Sequence, residues 1–212
     1  LNGFELVNHN SHVEEFINKD ELITIYYPEI KELIKNHTAA SEVVIFDHTI
    51  RTGNEKKRAA MLLREPVRRV HNDYTEWSGP QRVRDIMLDK AEKLLKKRFA
   101  IIQVWRPTQP VLLSNPLALC DARSLNKRDL IISERRYPNR VGQTYQIKYN
   151  QDHEWFYFPK MKRNEAIIFK VYDSKTDGRA RFTAHTSFDD PLTPTNALPR
   201  ESIEVRALVF FN

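Results

Sequence analysis

His71 and Asp73 stand two positions apart in a run of β-compatible residues at 70–75. In an extended strand, successive side chains point to opposite faces, so these two side chains emerge together on one face. An imidazole beside a carboxylate is half of a metal site, and His185, from a distant strand, is the best candidate for a third ligand. Two histidines and one carboxylate bind one face of an octahedral metal and leave the other face open.

Each of these residues also has a plainer explanation. A His-x-Asp triplet is most often a surface histidine beside a solvated acid, and a lone histidine such as His185 is most often a core or rim residue. Two histidines and an aspartate also suit zinc with one open position, so a zinc-dependent hydrolase or lyase stays open at this point.

Composition favours one soluble domain. The 212 residues include 11 Phe, 8 Tyr and 3 Trp, enough to bury one sizeable core. We therefore expect a single domain over residues 1–212, with residues 1–42 as a peripheral strand and helix segment. The net charge is +6 and the pI about 9.4, but acids and bases alternate, so we expect no nucleic-acid partner.

Cysteine and glycine usage excludes several classes. Cys120 is the only cysteine, which excludes a disulfide framework and fits the cytoplasm, our default expectation. No apolar run has the length of a membrane span, so no membrane partner is expected. The 5 glycines are too far apart for a phosphate-cradling or dinucleotide-binding loop. No serine lies in a nucleophile-elbow pattern either. Because the chain starts at Leu1 rather than Met, a preceding segment is left open.

The hydrophobic patterns predict many strands and few helices. Helical spacing is found at residues 29–36 and 80–97. Residues 121–141 read mostly as loops, with a turn at 135–138. Strands are predicted at residues 22–27, 43–51, 66–75, 99–105, 117–120, 143–149, 155–158, 166–172, 180–188 and 202–211. The fold class is therefore mainly β with flanking helices, and a double-stranded β-helix (jelly roll, cupin-like) is one such architecture.

A set of motifs in consistent order resembles one known family. The motifs are Phe46-Asp47-His48-Thr49-Ile50-Arg51, Val70-His71-Asn72-Asp73-Tyr74-Thr75, Val104-Trp105-Arg106-Pro107, Ala184-His185, and Pro199-Arg200-Glu201-Ser202-Ile203-Glu204 with Arg206. They resemble the hydroxylase/desaturase family of mostly fungal secondary-metabolite clusters, which includes gibberellin desaturase-like proteins and a cephamycin methoxylation component. The resemblance runs from about residue 46 to the C-terminus.

The resemblance implies a non-haem Fe(II)- and 2-oxoglutarate-dependent dioxygenase, an oxidoreductase, on a double-stranded β-helix. Its partners would be 2-oxoglutarate, molecular oxygen and a small-molecule secondary metabolite. His71, Asp73 and His185 would be both the iron ligands and the catalytic residues. Hydroxylation, desaturation and oxidative cyclisation are all compatible with this class, and several arginines in pocket-forming stretches predict a carboxylated substrate.

The cosubstrate's distal carboxylate needs a cation, and the class commonly supplies an arginine near the start of the final strand, with Ser or Thr two residues on. Arg200 and Ser202 have this form, and Arg206 is a rival because it shares their face of the strand. We also expected Gln103 and Arg106 to line the barrel and contact cosubstrate or substrate, with Trp105 packed in the core.

Two alternatives to this enzyme remain at the sequence level. One is the zinc-dependent hydrolase or lyase, and the other is a non-catalytic accessory protein that keeps the fold. The sequence does not determine the substrate or the oligomeric state.

Overall fold

The computed structural model describes residues 2–138 and 140–212, so Leu1 and Asn139 lie outside the description. The helices are α1 (Lys19–Glu21), α2 (Tyr27–Thr38), α3 (Glu55–Met61), α4 (Ser78–Met87) and α5 (Ala91–Leu95). The strands are β1 (Phe4–Asn8), β2 (Glu42–Thr52), β3 (His71–Asn72), β4 (Phe99–Pro107), β5 (Leu117–Cys120), β6 (Leu130–Tyr137), β7 (Arg140–Ile147), β8 (Trp155–Tyr157), β9 (Glu165–Asp173), β10 (His185–Ser187) and β11 (Glu201–Phe210).

The strands form two antiparallel sheets that pack face to face. The major sheet has the order β1-β9-β4-β11-β2 and the minor sheet β6-β7-β3-β10-β5-β8. Trp105 and Phe169 from the major sheet and Leu119 and Tyr145 from the minor sheet belong to one buried cluster between them. This two-sheet arrangement is the predicted double-stranded β-helix.

The opposite face of the major sheet is covered by helix. Ile30 and Ile34 of α2 are fully buried against Val104 and Val205 of the sheet. The major sheet therefore has apolar residues on both faces.

The prediction of a strand at residues 22–27 is wrong. Residues Leu22–Tyr26 form a turn of π-helix between α1 and α2, making one continuous helical segment. Asn18 caps its start by accepting hydrogen bonds from the backbone N–H groups of Asp20 and Glu21. Leu22 and Tyr26 are fully buried, and burial of this helical stripe outweighs the strand preference of the β-branched residues.

Several predicted boundaries also differ. The strands that contain His71 and His185 are much shorter than predicted, only His71–Asn72 and His185–Ser187. The helix predicted at residues 80–97 breaks at Leu88, whose φ is 47°. The stretch expected to be loop contains β6, which pairs with β7 in a hairpin and includes most of the turn predicted at 135–138. Among the described residues, no helix has the length and apolar character needed to cross a bilayer.

Gly79 lies where α4 meets the major sheet. A Cβ at this position would sit 2.5 Å from the Tyr172 ring. Because that ring is buried, we expect Gly79→Ala to lower the free energy of unfolding by about 1–3 kcal/mol through overpacking. Chemical denaturation measures this, with Lys93→Ala on an exposed helical position as the control. Unchanged stability of Gly79→Ala would contradict the packing described.

Candidate metal centre

His71 and His185 face each other across the minor sheet. They are directly paired in the register of β3 with β10, and their ring centroids lie 4.4 Å apart. Asp73 follows β3, and its Oδ1 lies 3.5 Å from His71 Nε2. Potential ligand atoms of all three residues lie within 4.8 Å of one another, so one ion between them is within reach of each.

Both imidazoles are oriented by the backbone. Nδ1 of His71 lies 2.7 Å from the Arg69 carbonyl oxygen, and Nδ1 of His185 lies 2.9 Å from that of Thr183. Since a carbonyl only accepts, each Nδ1 must carry the proton, which leaves the Nε2 lone pair for a metal. Burial, together with His71, lowers the pKa of His185 to about 4, so its imidazole is neutral at pH 7.

Asp73 is fixed through its second oxygen. Its Oδ2 accepts hydrogen bonds from Gln103 Nε2 at 2.6 Å and Arg206 Nε at 3.0 Å. Burial alone would raise the pKa of Asp73, but the Arg206 guanidinium and His71 hold it well below its usual value. The carboxylate is thus ionised, with Oδ1 on the side of the histidines.

Asn72 is a residue of this site that the sequence analysis missed. It lies between His71 and Asp73, points to the opposite face and is fully buried. Its Nδ2 donates to the carbonyls of Tyr74 and Val171, and its Oδ1 accepts from the Thr183 backbone N–H. Asn72 therefore ties β3 to β9 and to the segment that leads into His185. An uncharged amide between two ligands was the only available signal.

Arg206 is already paired with carboxylates. Its guanidinium contacts Asp73, Asp47 and Glu204, and it donates to Thr49 Oγ1 at 3.1 Å. Burial lowers the pKa of Arg206, but Glu204 and Asp73 more than offset this and hold it well above its usual value. A residue this fully neutralised is poorly suited to bind a further anion.

Arg200 is buried without such partners. Its Nε donates to Ser202 Oγ at 3.0 Å and its NH1 to the Asn115 carbonyl at 3.0 Å. No carboxylate of the described chain forms an ion pair with it, and its Cζ lies 4.9 Å from the centroid of the Trp105 ring. Burial and the nearby Arg51 lower the pKa of Arg200 to about 9, the signature of a cation in need of an anion.

The residues of β4 divide between the two faces of the sheet. Gln103 and Trp105 point inward, and Trp105 lies two positions, about 7 Å, from Gln103 along the strand. Within the described structure, Gln103 Oε1 and Trp105 Nε1 are buried and lack hydrogen-bond partners. Arg106 points to the opposite face, where it contacts His9 and the ring of Tyr26. The expectation that Arg106 reaches the site is therefore wrong, because positions three apart on a strand face opposite ways.

The donor set fits iron. Two imidazoles and one carboxylate, held by outer hydrogen bonds, with His71 and Asp73 lining a cavity of about 800 Å³, would supply the facial set of two histidines and one carboxylate that non-haem Fe(II) takes.

Comparison with known proteins gives consistent matches over nearly the whole chain. The sequence profile described as the YDMC oxidoreductase/YMDC permease-like domain matches residues 1–210. The alpha-ketoglutarate-dependent dioxygenase phiK of a fungal species is 34% identical over 220 residues, 99% of this chain and 78% of the relative. The hydroxylase/desaturase CTB9 of Cercospora beticola is 34% identical over 234 residues, 99% of this chain and 70% of the relative.

A solved structure also matches the fold. The iron and alpha-ketoglutarate-dependent endoperoxidase NvfI superimposes with a TM-score of 0.90 and 29% sequence identity, covering 100% of this chain and 79% of that one. The Fe(II)/2-oxoglutarate-dependent dioxygenase nvfI of Aspergillus novofumigatus is 33% identical over 187 residues, 87% of this chain and 66% of the relative.

We expect Asn72→Ala to lower the free energy of unfolding by roughly 3 kcal/mol, because three buried hydrogen bonds are lost at about 1 kcal/mol each. It should also weaken divalent-metal binding, since β3 and the β10 segment lose their common anchor. Denaturation and calorimetric metal titration measure the two effects, with the exposed Asn164→Ala as the control. Full metal affinity in the Asn72 variant would contradict the anchoring role.

Proposed function

The chain belongs to the family of fungal Fe(II)/2-oxoglutarate-dependent dioxygenases and hydroxylase/desaturases of secondary metabolism, and we propose that His71, Asp73 and His185 are its iron ligands. It is accordingly an oxidoreductase that uses Fe(II), 2-oxoglutarate and oxygen to oxidise a small molecule. The observation that carries the ligand proposal is the convergence of two backbone-oriented imidazoles and one ionised carboxylate beside a cavity. The zinc hydrolase and the accessory protein have no comparable support.

Bound Fe(II) supplies the centre at which oxygen and 2-oxoglutarate react, and oxidative decarboxylation to succinate and carbon dioxide drives oxidation of the substrate. The chain's own residues position the reactants. The carbonyls of Arg69 and Thr183 hold the two imidazoles in the tautomer that binds metal. Gln103 and Arg206 donate to Asp73 Oδ2, so Oδ1 is the oxygen that would bind the metal.

We further propose that Arg200 and Ser202 bind the distal carboxylate of 2-oxoglutarate. The Arg200 guanidinium lies over the ring of Trp105. Trp105 is two positions along β4 from Gln103, which donates a hydrogen bond to Asp73. Two positions along a strand span about 7 Å, which is comparable to the length of a five-carbon diacid. The unpartnered Trp105 Nε1 is a second donor on this path. The planar guanidinium suits a carboxylate through two parallel hydrogen bonds.

Three expectations stay proposals. Residues 1–212 act as one domain, because β1 pairs with β9 and α2 packs on the major sheet, which joins the N-terminal segment to the body of the fold. The protein acts in the cytoplasm, a proposal that rests on its single, unpaired Cys120. It acts on a small molecule without a nucleic-acid or membrane partner, since its charges are interspersed.

The ligand proposal is tested by succinate formation. We expect His71→Ala and His185→Ala each to reduce Fe(II)-dependent succinate formation by more than roughly 100-fold, since even outer hydrogen-bond partners of metal ligands contribute 10- to 100-fold. His12→Ala, at an exposed histidine paired with Glu29, is the matched control and should behave as the wild type. Substantial succinate from both ligand variants would contradict the assignment.

The cosubstrate proposal is tested separately. We expect Arg200→Gln to raise KM for 2-oxoglutarate roughly 10- to 100-fold, because a hydrogen bond to a charged group contributes about 1.5–3 kcal/mol. As the control, Lys57→Gln removes a cation that pairs with Glu201, the residue next to Arg200, and it should leave KM unchanged. If KM for 2-oxoglutarate is normal in Arg200→Gln but raised in Arg51→Gln, Arg51 rather than Arg200 binds the distal carboxylate.

A further inference from the structure

The lining of the cavity beside the metal ligands is strongly cationic. Its volume is about 800 Å³, and its wall includes His71, Asp73 and Arg206. Nine of the chain's arginines line it, but no lysine does, although the chain contains fifteen lysines. Only four carboxylates accompany the nine guanidinium groups. Arginine is the residue best suited to planar, bidentate recognition of carboxylates, so this selection of one basic residue type indicates binding rather than solubility.

Some of these arginines are neutralised by the protein. Arg206 has its three carboxylates, Arg58 pairs with Glu65 at 3.2 Å, and Arg82 pairs with Asp85 at 3.9 Å. Others are not: of the described residues, none forms an ion pair with Arg51, Arg64, Arg69 or Arg135. Four positive charges in the lining therefore have no anionic partner within the chain's described part.

The backbone forces two of these charges together. After α3 the chain returns to β2, and an isolated parallel bridge sets Arg64 beside Arg51. The Thr52 N–H donates to the Arg64 carbonyl at 2.9 Å, which fixes this alignment. Like charges side by side on a sheet are destabilising. An anion that contacts Arg64 weakens this repulsion.

Arg135 belongs to a different structural element from Arg51 and Arg64. It is carried by β6 and pairs in register with Gly142 of β7, and both residues line the cavity. The cationic groups thus come from two separate elements, the bridge next to β2 and the β6–β7 hairpin.

We propose that the substrate is an organic acid, whose carboxylate is bound by Arg64 and Arg135 at the cavity mouth while its oxidised carbon faces the metal ligands. The inference rests on the proposed function and names the chemical class of its substrate. The acid is a second carboxylate compound besides 2-oxoglutarate, for which Arg200, outside the lining of this cavity, is proposed above.

The test uses protein loaded with Zn(II) and N-oxalylglycine, so that the metal and cosubstrate positions are filled and no turnover occurs. Calorimetry measures binding of 2-octylsuccinic acid, of its dimethyl ester and of octylphosphonic acid. We expect the diacid to bind at least tenfold more tightly than the ester, because the ester cannot form charge-assisted hydrogen bonds. Arg64→Gln and Arg135→Gln should each weaken diacid binding about tenfold. Arg123→Gln, which lies outside the cavity beside Asp121, should not.

The proposal is overturned if the diacid and the ester bind with equal affinity or if the diacid does not bind. It is also overturned if both arginine variants bind the diacid as tightly as the wild type does. Tighter binding of the phosphonate than of the diacid would overturn the choice of a carboxylate. Binding of N-oxalylglycine is measured first in the wild type. If the wild type does not bind N-oxalylglycine, both the proposed function and this inference are contradicted. If it binds N-oxalylglycine but not the diacid, only the substrate class is contradicted.

Discussion

The site depends on one short strand pairing. His71 and His185 become neighbours only because β3, two residues long, pairs with β10 in a register that sets the two histidines opposite each other. So short a strand has few backbone hydrogen bonds to its neighbours. The side chain of Asn72 adds further anchoring through hydrogen bonds to the backbone of Val171 and Thr183. A shift of one residue would turn His71 and Asp73 away from the cavity and bring Asn72 into it.

The second constraint is the pairing of buried charges. Arg200, just before β11, and Ser202, Glu204 and Arg206 on its inner face alternate along the chain, so two guanidinium groups and one carboxylate share the interior. A bulge in β2 skips Phe46 in the register and turns Asp47 toward Arg206. Arg206 is thereby committed to structure and to Asp73, while Arg200 is left for an anion from outside. The bulge thus separates the role of the two arginines.

The sequence already pointed to His71, Asp73 and His185, which the structure brings within 4.8 Å of one another, because the chemistry of this trio is local. A His-x-Asp spacing works on any extended backbone, and the order of motifs supplied His185. The fold class followed from the same motifs and from the many strand patterns. The strand predicted at residues 22–27 failed because β-branched residues were read without the cap at Asn18 and the helical stripe of Leu22 and Tyr26.

Other features depend on tertiary contacts that a single sequence does not contain. The role of Asn72 needs the positions of two distant carbonyls, and the choice between Arg200 and Arg206 needs the bulge in β2. The error on Arg106 is different, since strand alternation alone separates it from Gln103. The clustering of His71, Asp73 and His185 could be anticipated from extended backbone and motif order, but the residues that orient these side chains could not.

The central claim is that the three ligands hold an iron that 2-oxoglutarate chelates. Its most direct test is an anaerobic titration of the Fe(II)-loaded protein with 2-oxoglutarate, followed by visible absorption. The account predicts the charge-transfer band of an iron-bound 2-oxo acid in the wild type and its loss in Asp73→Ala. Iron bound to the wild type without such a band at saturating 2-oxoglutarate would contradict it.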